Sequence, residues 1–124
     1  MFKKISPTLQ VKDMRRALAF FERDLGFRCT FKLDDEHHPE IPYAVVERDQ
    51  VTIHLQLSEK AAGTSACYVT VDDGDAVYAE ILKAGVRVTR PIENSRYGMR
   101  DFTIADPDGN TLGFGQPIQP TPAG

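Results

Sequence analysis

The side chains able to do chemistry are few and scattered. His37 and His38 lie in the acidic stretch Asp34-Asp35-Glu36-His37-His38-Pro39-Glu40, and His54 lies in the run Val51 to Leu57. The first pair could form a metal knot with the neighbouring carboxylates. Adjacent side chains of an extended loop point apart, so a solvated hairpin tip is the expectation there. His54 alternates with apolar residues and reads either as a hydrogen-bonded strand histidine or as a ligand contact. Ser6 and His54 would make a nucleophile–base pair only if an acid oriented the imidazole, and the sequence assigns none. Asp101, with Glu47 second, could offer negative charge to a cationic ligand; for Asp101 the alternative is an ion pair with Arg100 or Arg96, or plain solvation. Arg90, Arg96 and Arg100 could take a carboxylate or phosphate, although most such arginines are surface residues. There is no glycine-rich phosphate loop, no His-Glu-x-x-His and no nucleophile elbow. Cys29 and Cys67 belong to no Cys-x-x-Cys pair, so both read as small core residues rather than as a disulfide framework or thiolate zinc site.

The elements that must position these residues come in two copies. Leu9-Gln10-Val11-Lys12-Asp13 recurs 60 positions later as Val69-Thr70-Val71-Asp72-Asp73, and each copy runs into a helical pattern. In the first, Met14, Ala17, Leu18, Phe21 and Leu25 share a helix face, Asp13 stands at the cap and Gly26 at the stop. Phe20 and Phe21 are expected to be core, or core and dimer contact, at this spacing. In the second, Val77, Ile81 and Ala84 mark the face, Asp73 or Asp75 caps it and Gly85 ends it. Strands follow each helix. Phe27, Cys29, Phe31 and Leu33 alternate as a half-buried strand, and Tyr43 to Glu47 and Val51 to Leu57 form a hairpin about Arg48-Asp49-Gln50. The second copy has a short strand from Val86 to Val88, a long loop from Arg90 to Gly98, then Met99 to Ala105 and Thr111 to Phe114 about the turn Asp106-Pro107-Asp108-Gly109-Asn110.

The reading is therefore an α+β fold of two βαβββ units, 5–59 and 66–118, joined by the polar linker Ser58 to Ser65 and followed by a Pro-rich tail, 119–124. Each unit has one helix to cover one sheet face. The halves are expected to associate and leave the opposite faces looking into a shared concavity, the natural place for a ligand.

The 124 residues, 41% hydrophobic and 27% charged, suit one globular domain. Lys+Arg 15 against Asp+Glu 18 gives a net charge of −3, which argues against a broad nucleic-acid or anionic-membrane surface. No apolar run approaches the roughly 20 residues needed to span a bilayer, and the charged start lacks the apolar stretch of a signal peptide, so a cytoplasmic protein is expected.

Three passages resemble the vicinal oxygen chelate superfamily, the glyoxalase, bleomycin-resistance and extradiol dioxygenase group. They are Leu9 to Asp13 leading into Ala19-Phe20-Phe21-Glu22-Arg23-Asp24-Leu25-Gly26-Phe27, then Val69 to Gly85, then Tyr97 to Phe102 through Asp106-Pro107-Asp108-Gly109-Asn110. The resemblance implies a cup of paired βαβββ units, commonly completed in a homodimer. Its enzymes hold a divalent metal with ligands on the first and last strand of each unit. By counting from the matching residues, those positions are Ser6, His54, Ala66 and Gly113. Only His54 offers a strong donor, and structural or catalytic sites need three or four. No cofactor and no metal are therefore expected.

The resemblance without a metal points to the bleomycin-resistance type, a dimer that sequesters a drug and confers antibiotic resistance without chemistry. The alternative is a metal-dependent lyase, isomerase or dioxygenase using His54 with Glu47 or Asp101. A third reading is a relic that only dimerises. Strand alternation proposes the cup lining: if Leu9, Val11, Ile53 and Leu55 face the helices, then Ser6, Thr8, Gln10, Thr52, His54 and Gln56 face the cup. In the second unit Ala66, Tyr68 and Thr70 lie opposite Cys67, Val69 and Val71, and Asp101, Thr103 and Ala105 opposite Phe102 and Ile104. The ligand-binding set expected from this is Thr8, Gln10, Tyr43, Thr52, His54, Gln56, Tyr68, Asp101 and Thr103. Tyr43 and Tyr68 are its stacking surfaces, and its partner is a small cationic or aromatic molecule.

Overall fold

Asp13 and Asp73 start the two helices, each accepting a backbone N–H three residues on, from Arg16 and from Ala76, at 3.1 Å. Gly26 and Gly85 end them at φ of 68° and 75°, the left-handed conformation in which glycine carries no side-chain penalty. The structure, a computed structural model, describes residues 1–34, 36, 37 and 39–119. His38 and nearly all of the Pro-rich tail lie outside the described residues.

The first unit runs β1 (Thr8–Val11), α1 (Met14–Ala19), β2 (Arg28–Lys32), β3 (Tyr43–Arg48) and β4 (Val51–Leu57). The second runs β5 (Ala66–Thr70), α2 (Gly74–Lys83), β6 (Val88–Asn94), β7 (Met99–Ala105) and β8 (Thr111–Pro117). Each builds one four-stranded sheet, in the orders β1-β4-β3-β2 and β5-β8-β7-β6. The first and last strands of each unit pair in parallel and the rest antiparallel. The α+β architecture of two βαβββ units is thus the one expected.

Four local expectations need correction. The first helix does not run evenly to Leu25: Phe20–Asp24 is a π-helical turn, with Leu25 N–H bonded to Phe20 O at 3.1 Å. The wider turn still buries both Phe20 and Phe21, whose rings meet edge to face at 5.3 Å. The alternation of β2 fails because a bulge between Cys29 and Phe31 shifts the register, leaving Phe31 half-exposed. The expected Val86 to Val88 strand instead starts only at Val88 and runs on, as β6, through most of the expected Arg90 to Gly98 loop to Asn94. Pro91 made it look like a loop, but β6 is an edge strand with two bulges, where a missing N–H is tolerated. Finally, β8 continues past Phe114 through Gly115 to Pro117. Cys29 and Cys67 are only half-buried, packed against the core from its margin.

One continuous core serves both units, from Leu9, Val11, Phe21, Ile53 and Leu55 to Ile81, Phe102, Ile104 and Leu112. Polar links join the units around it. Asn110, fully buried, donates to Gln10 O at 2.8 Å and accepts from Ser65 N–H at 2.9 Å, and Gln10 N–H donates to Ser65 Oγ at 3.0 Å. Arg16 pairs with Asp108 at 2.6 Å, and Arg48 with Glu80 at 2.6 Å. The Arg48 and Glu80 side chains are 35% and 49% exposed, so solvent screens the pair. A double-mutant cycle of Arg48→Met and Glu80→Gln, read by urea unfolding, is expected to give a coupling of about 0.2–1 kcal/mol that shrinks with added salt.

Candidate ligand-binding faces

The alternation that builds the core also turns a second set of side chains away from it. Leu9, Val11, Ile53 and Leu55 are fully buried in the core, while Thr8, Gln10, His54 and Gln56 on the same strands are exposed or half-buried. Val69, Phe102 and Ile104 are likewise inside, and Tyr68 is 48% exposed. The nine expected ligand-binding residues therefore fall on the faces of the two sheets opposite the core, Asp101 being fully enclosed among its partners.

On the first sheet three small polar groups form. Tyr43 hydroxyl and His54 Nδ1 lie 2.6 Å apart, with the rings edge to face. Gln10 Nε2 donates to Gln56 Oε1 at 3.0 Å. Thr52, nearly buried, takes a hydrogen bond from Lys4 Nζ and gives one to Glu47 Oε1 at 3.2 Å. Glu47 and His54 are thus engaged in separate groups.

The second sheet is built about Asp101. Its Oδ1 takes Arg90 at 2.7 Å, and its Oδ2 takes the hydroxyls of Tyr68 at 2.9 Å and Tyr97 at 2.5 Å. Burial alone would raise the pKa of this carboxyl, but hydrogen bonds from Tyr97, Arg90 and Tyr68 and the Arg90 charge outweigh it and hold the group below the ordinary range. Burial of Tyr68 and its bond to the carboxylate push its phenol up to about 12. The ion pair expected with Arg100 or Arg96 is instead with Arg90; Arg100 pairs with Asp75 at 2.9 Å. Reading Arg90 as loop hid this, because only a strand reaching Asn94 brings Arg90 alongside β7, where it pairs with Thr103. Tyr97, just before the Gly98 turn, was also missed, and nothing local in the sequence marks it.

Strand register shows how the two faces differ. Thr8 is paired with His54 and Gln10 with Gln56 in the first unit; in the second the same places hold Tyr68 with Gly113 and Thr70 with Gly115. Bulk has moved from the last strand to the first. A Cβ on Gly113 would stand 2.8 Å from Tyr68 Cδ2, and one on Gly115 would stand 2.5 Å from its Cζ and overlap its hydroxyl. The Tyr68 side chain thus runs across both glycines, and only glycine leaves it room.

The donor set of the implied metal positions does not fit a metal. Ser6 is a weak donor, Ala66 and Gly113 offer none, and the Gly113 position lies beneath the Tyr68 ring. Among the described residues, no group of three or more His, Cys, Asp or Glu side chains could hold an ion. Asp101, the displaced ligand considered above, has both oxygens taken by Arg90, Tyr68 and Tyr97. A different cavity, of about 480 Å³, opens between the units; Leu25, Phe27, Val51, Val71, Val77 and Glu80 are among its lining residues, and none of the nine expected ligand residues is.

The family model described as the Glyoxalase/Bleomycin resistance protein/Dioxygenase superfamily matches residues 4–114. The chain belongs to that superfamily. Among its relatives, a bleomycin resistance protein of Geobacillus stearothermophilus is 27% identical over 133 residues, covering 91% of this chain and 96% of the relative. The bleomycin-binding protein of bleomycin-producing Streptomyces verticillus, solved with copper(II)-bleomycin, superposes with a TM-score of 0.74 at 26% identity, covering 97% and 100% of the two chains. The bleomycin resistance determinant of transposon Tn5 shares the fold at a TM-score of 0.78 and 22% identity, over 95% and 100% of the chains. As a superfamily member, this chain carries the metal-position substitutions noted above on a fold that hosts several unrelated chemistries, so its activity must be argued from its own faces.

Proposed function

We propose that this protein binds and sequesters a small organic molecule of the antibiotic class on the coreless faces of its two sheets, without metal chemistry and without turnover. The observation that carries this reading is the filled metal position: where the superfamily's enzymes place a donor on the last strand, this chain has Gly113 under the ring of Tyr68. The resemblance to proteins named for bleomycin resistance and bleomycin binding supports it. The chemistry of the faces supports it too. Thr8, Gln10, Tyr43, His54 and Gln56 offer hydrogen bonds and Tyr68 a ring, and among the described residues no group of three or more His, Cys, Asp or Glu that could hold a metal stands beside them.

A cytoplasmic homodimer belongs to the same proposal. Each face is open on one side in a single chain, and a second copy of the chain would close it. No helix among the described residues is long and apolar enough to cross a membrane.

The test is a calorimetric titration of the purified protein with metal-free bleomycin, alongside metal analysis of protein prepared without chelator and light scattering. Saturable binding, no stoichiometric metal and a mass of twice 13.8 kDa are the expected results. Stoichiometric, tightly held Fe, Mn, Ni or Zn would overturn the metal-free reading. A monomer at micromolar concentration would remove the dimer from it.

A further inference from the structure

We propose that the cavity between the two units is a second ligand site, built for an amphipathic amine, with an apolar body seated between the units and a primary ammonium at the mouth. It lies off the sheet faces proposed above and stands or falls apart from them.

Shape is the first argument. The cavity has a volume of about 480 Å³, within the roughly 300–1,000 Å³ usual for small-molecule pockets and far beyond the water-sized voids that ordinary packing leaves. Its floor comes from both units, Leu25 and Phe27 from the first and Val69, Ile81 and Phe114 from the second, all buried members of the core. A hydrocarbon body gains by leaving water for such a surface. Beside it Arg48 bridges the units: its Nη1 donates to Leu25 O at 2.8 Å and to Glu80 Oε2 at 2.6 Å, and its Nη2 to Glu80 Oε1 at 3.2 Å.

Charge is the second argument, and it selects a cation. Arg48 is the one basic side chain that lines the cavity, and Glu80 and Leu25 O engage it. Asp49, Asp72 and Asp73 line it as well. Asp72 has no side-chain partner among the described residues, Asp49 is 90% exposed and reaches Arg48 Nε only at 4.0 Å, and Asp73 uses one oxygen, Oδ1, to cap α2. The start of α2 would otherwise attract an anion, but Asp73 takes Ala76 N–H and Gln116 Oε1 takes Gly74 N–H at 2.8 Å. A bare metal ion does not fit either, since among the described residues no group of three or more His, Cys, Asp or Glu side chains could hold one. Dispersed carboxylates around an apolar floor suit an organic ammonium, whose three N–H donors face the rim while its hydrocarbon lies below.

The probe is octylammonium, read by amide NMR spectra of the full chain; octanoate is the charge-reversed control and ethylammonium the control without an apolar body. Octylammonium is expected to shift the amides of Val51 and of Thr70 to Ile81 saturably, with octanoate roughly tenfold weaker and ethylammonium roughly a hundredfold weaker. Ala76→Leu, which fills the cavity from α2 and keeps the N–H that Asp73 caps, is expected to weaken octylammonium binding roughly tenfold. Asp49→Asn combined with Asp72→Asn keeps the cavity and removes two charges, and is expected to weaken it roughly fivefold. Asparagine is at home at the φ of 52° that Asp49 holds, so this variant carries the test should Ala76→Leu fail to fold. Octanoate binding as tightly as octylammonium, Ala76→Leu binding within twofold of wild type, an unchanged affinity in the double variant, or shifts confined to Thr8, His54, Gln56 and Tyr68 would each overturn the site. So would shifts from Thr70 to Ile81 that follow protein concentration without added amine, which would place a second copy of the chain in the cavity.

Discussion

Replacing Asp101 by alanine is expected to destabilise the protein by about 2–4 kcal/mol and to loosen both tyrosines of the second sheet. The carboxylate is fully buried and takes three charge-assisted or phenolic hydrogen bonds, so its loss leaves Arg90, Tyr68 and Tyr97 without their common partner. Arg90 is 37% exposed and can turn to water, which keeps the cost toward the lower part of the range seen when buried pairs are broken. Urea unfolding followed by far-ultraviolet circular dichroism measures it. A change under about 0.5 kcal/mol would mean that the cluster does not exist in solution.

Acid dependence gives the same residue a second readout. The folded-state pKa of Asp101 lies below that of the unfolded chain, so the folded form binds fewer protons and stability falls as pH drops. Its contribution is fully present above the unfolded value of about 3.9 and is lost as pH falls through the lower folded value. Asp101→Asn removes this term and leaves the others. The wild-type advantage over Asp101→Asn is therefore expected to be constant above about pH 5 and to narrow on acidification. Asp75 is also lowered, chiefly by its hydrogen bond to Arg100, and Asp106 is raised by burial; both titrate alike in the two proteins and cancel in the difference.

Asn110→Ala is expected to cost about 3–5 kcal/mol, seen as a fall in Tm of roughly 10–20 °C. One buried amide satisfies Gln10 O in the first unit, Ser65 N–H at the entry to the second and Asp106 Oδ2 in its own turn. Alanine takes this partner from Ser65 N–H and Asp106 Oδ2 and leaves Gln10 O only the longer bond from Gly63 N–H at 3.4 Å, and a domain of this size has only about 5–15 kcal/mol in total. Asn110→Asp tests the cause: it keeps the acceptor for Ser65 but sets a carboxylate against Gln10 O and Asp106, so it should be no better than alanine. A loss below 1 kcal/mol for Asn110→Ala would show that the units are held by the shared apolar core alone.

The turn Asp106-Pro107-Asp108-Gly109-Asn110 shows how far local reading goes. Its composition marks a turn, and it is one, with the Asp106 carboxylate accepting the N–H groups of Asp108 and Asn110 at 2.9 and 2.7 Å. That its last residue fastens the two units together was not legible, because the partner Gln10 lies 100 residues away in the chain. The same division runs through the binding faces. Thr8, Gln10, His54, Gln56 and Tyr68 could be assigned to the face away from the core because a strand alternates its side chains with period two whatever it packs against. Arg90 could not, because Pro91 and two bulges erase that period in β6.

The sequence by itself determined the two βαβββ units, their capped and glycine-stopped helices and most of the apolar residues of the core. All of these follow from residue type, from periods of two and 3.6 residues, and from turn chemistry, which act over a few positions. Only the tertiary structure decided what the faces are made of. That Tyr68 lies on Gly113 and Gly115, that Tyr97 and Arg90 meet it at Asp101, and that Tyr43 meets His54 depend on strand register and on side chains brought together from separate strands. Such contacts form after the sheet does, and their energy lies in hydrogen bonds and packing between groups that no local pattern pairs.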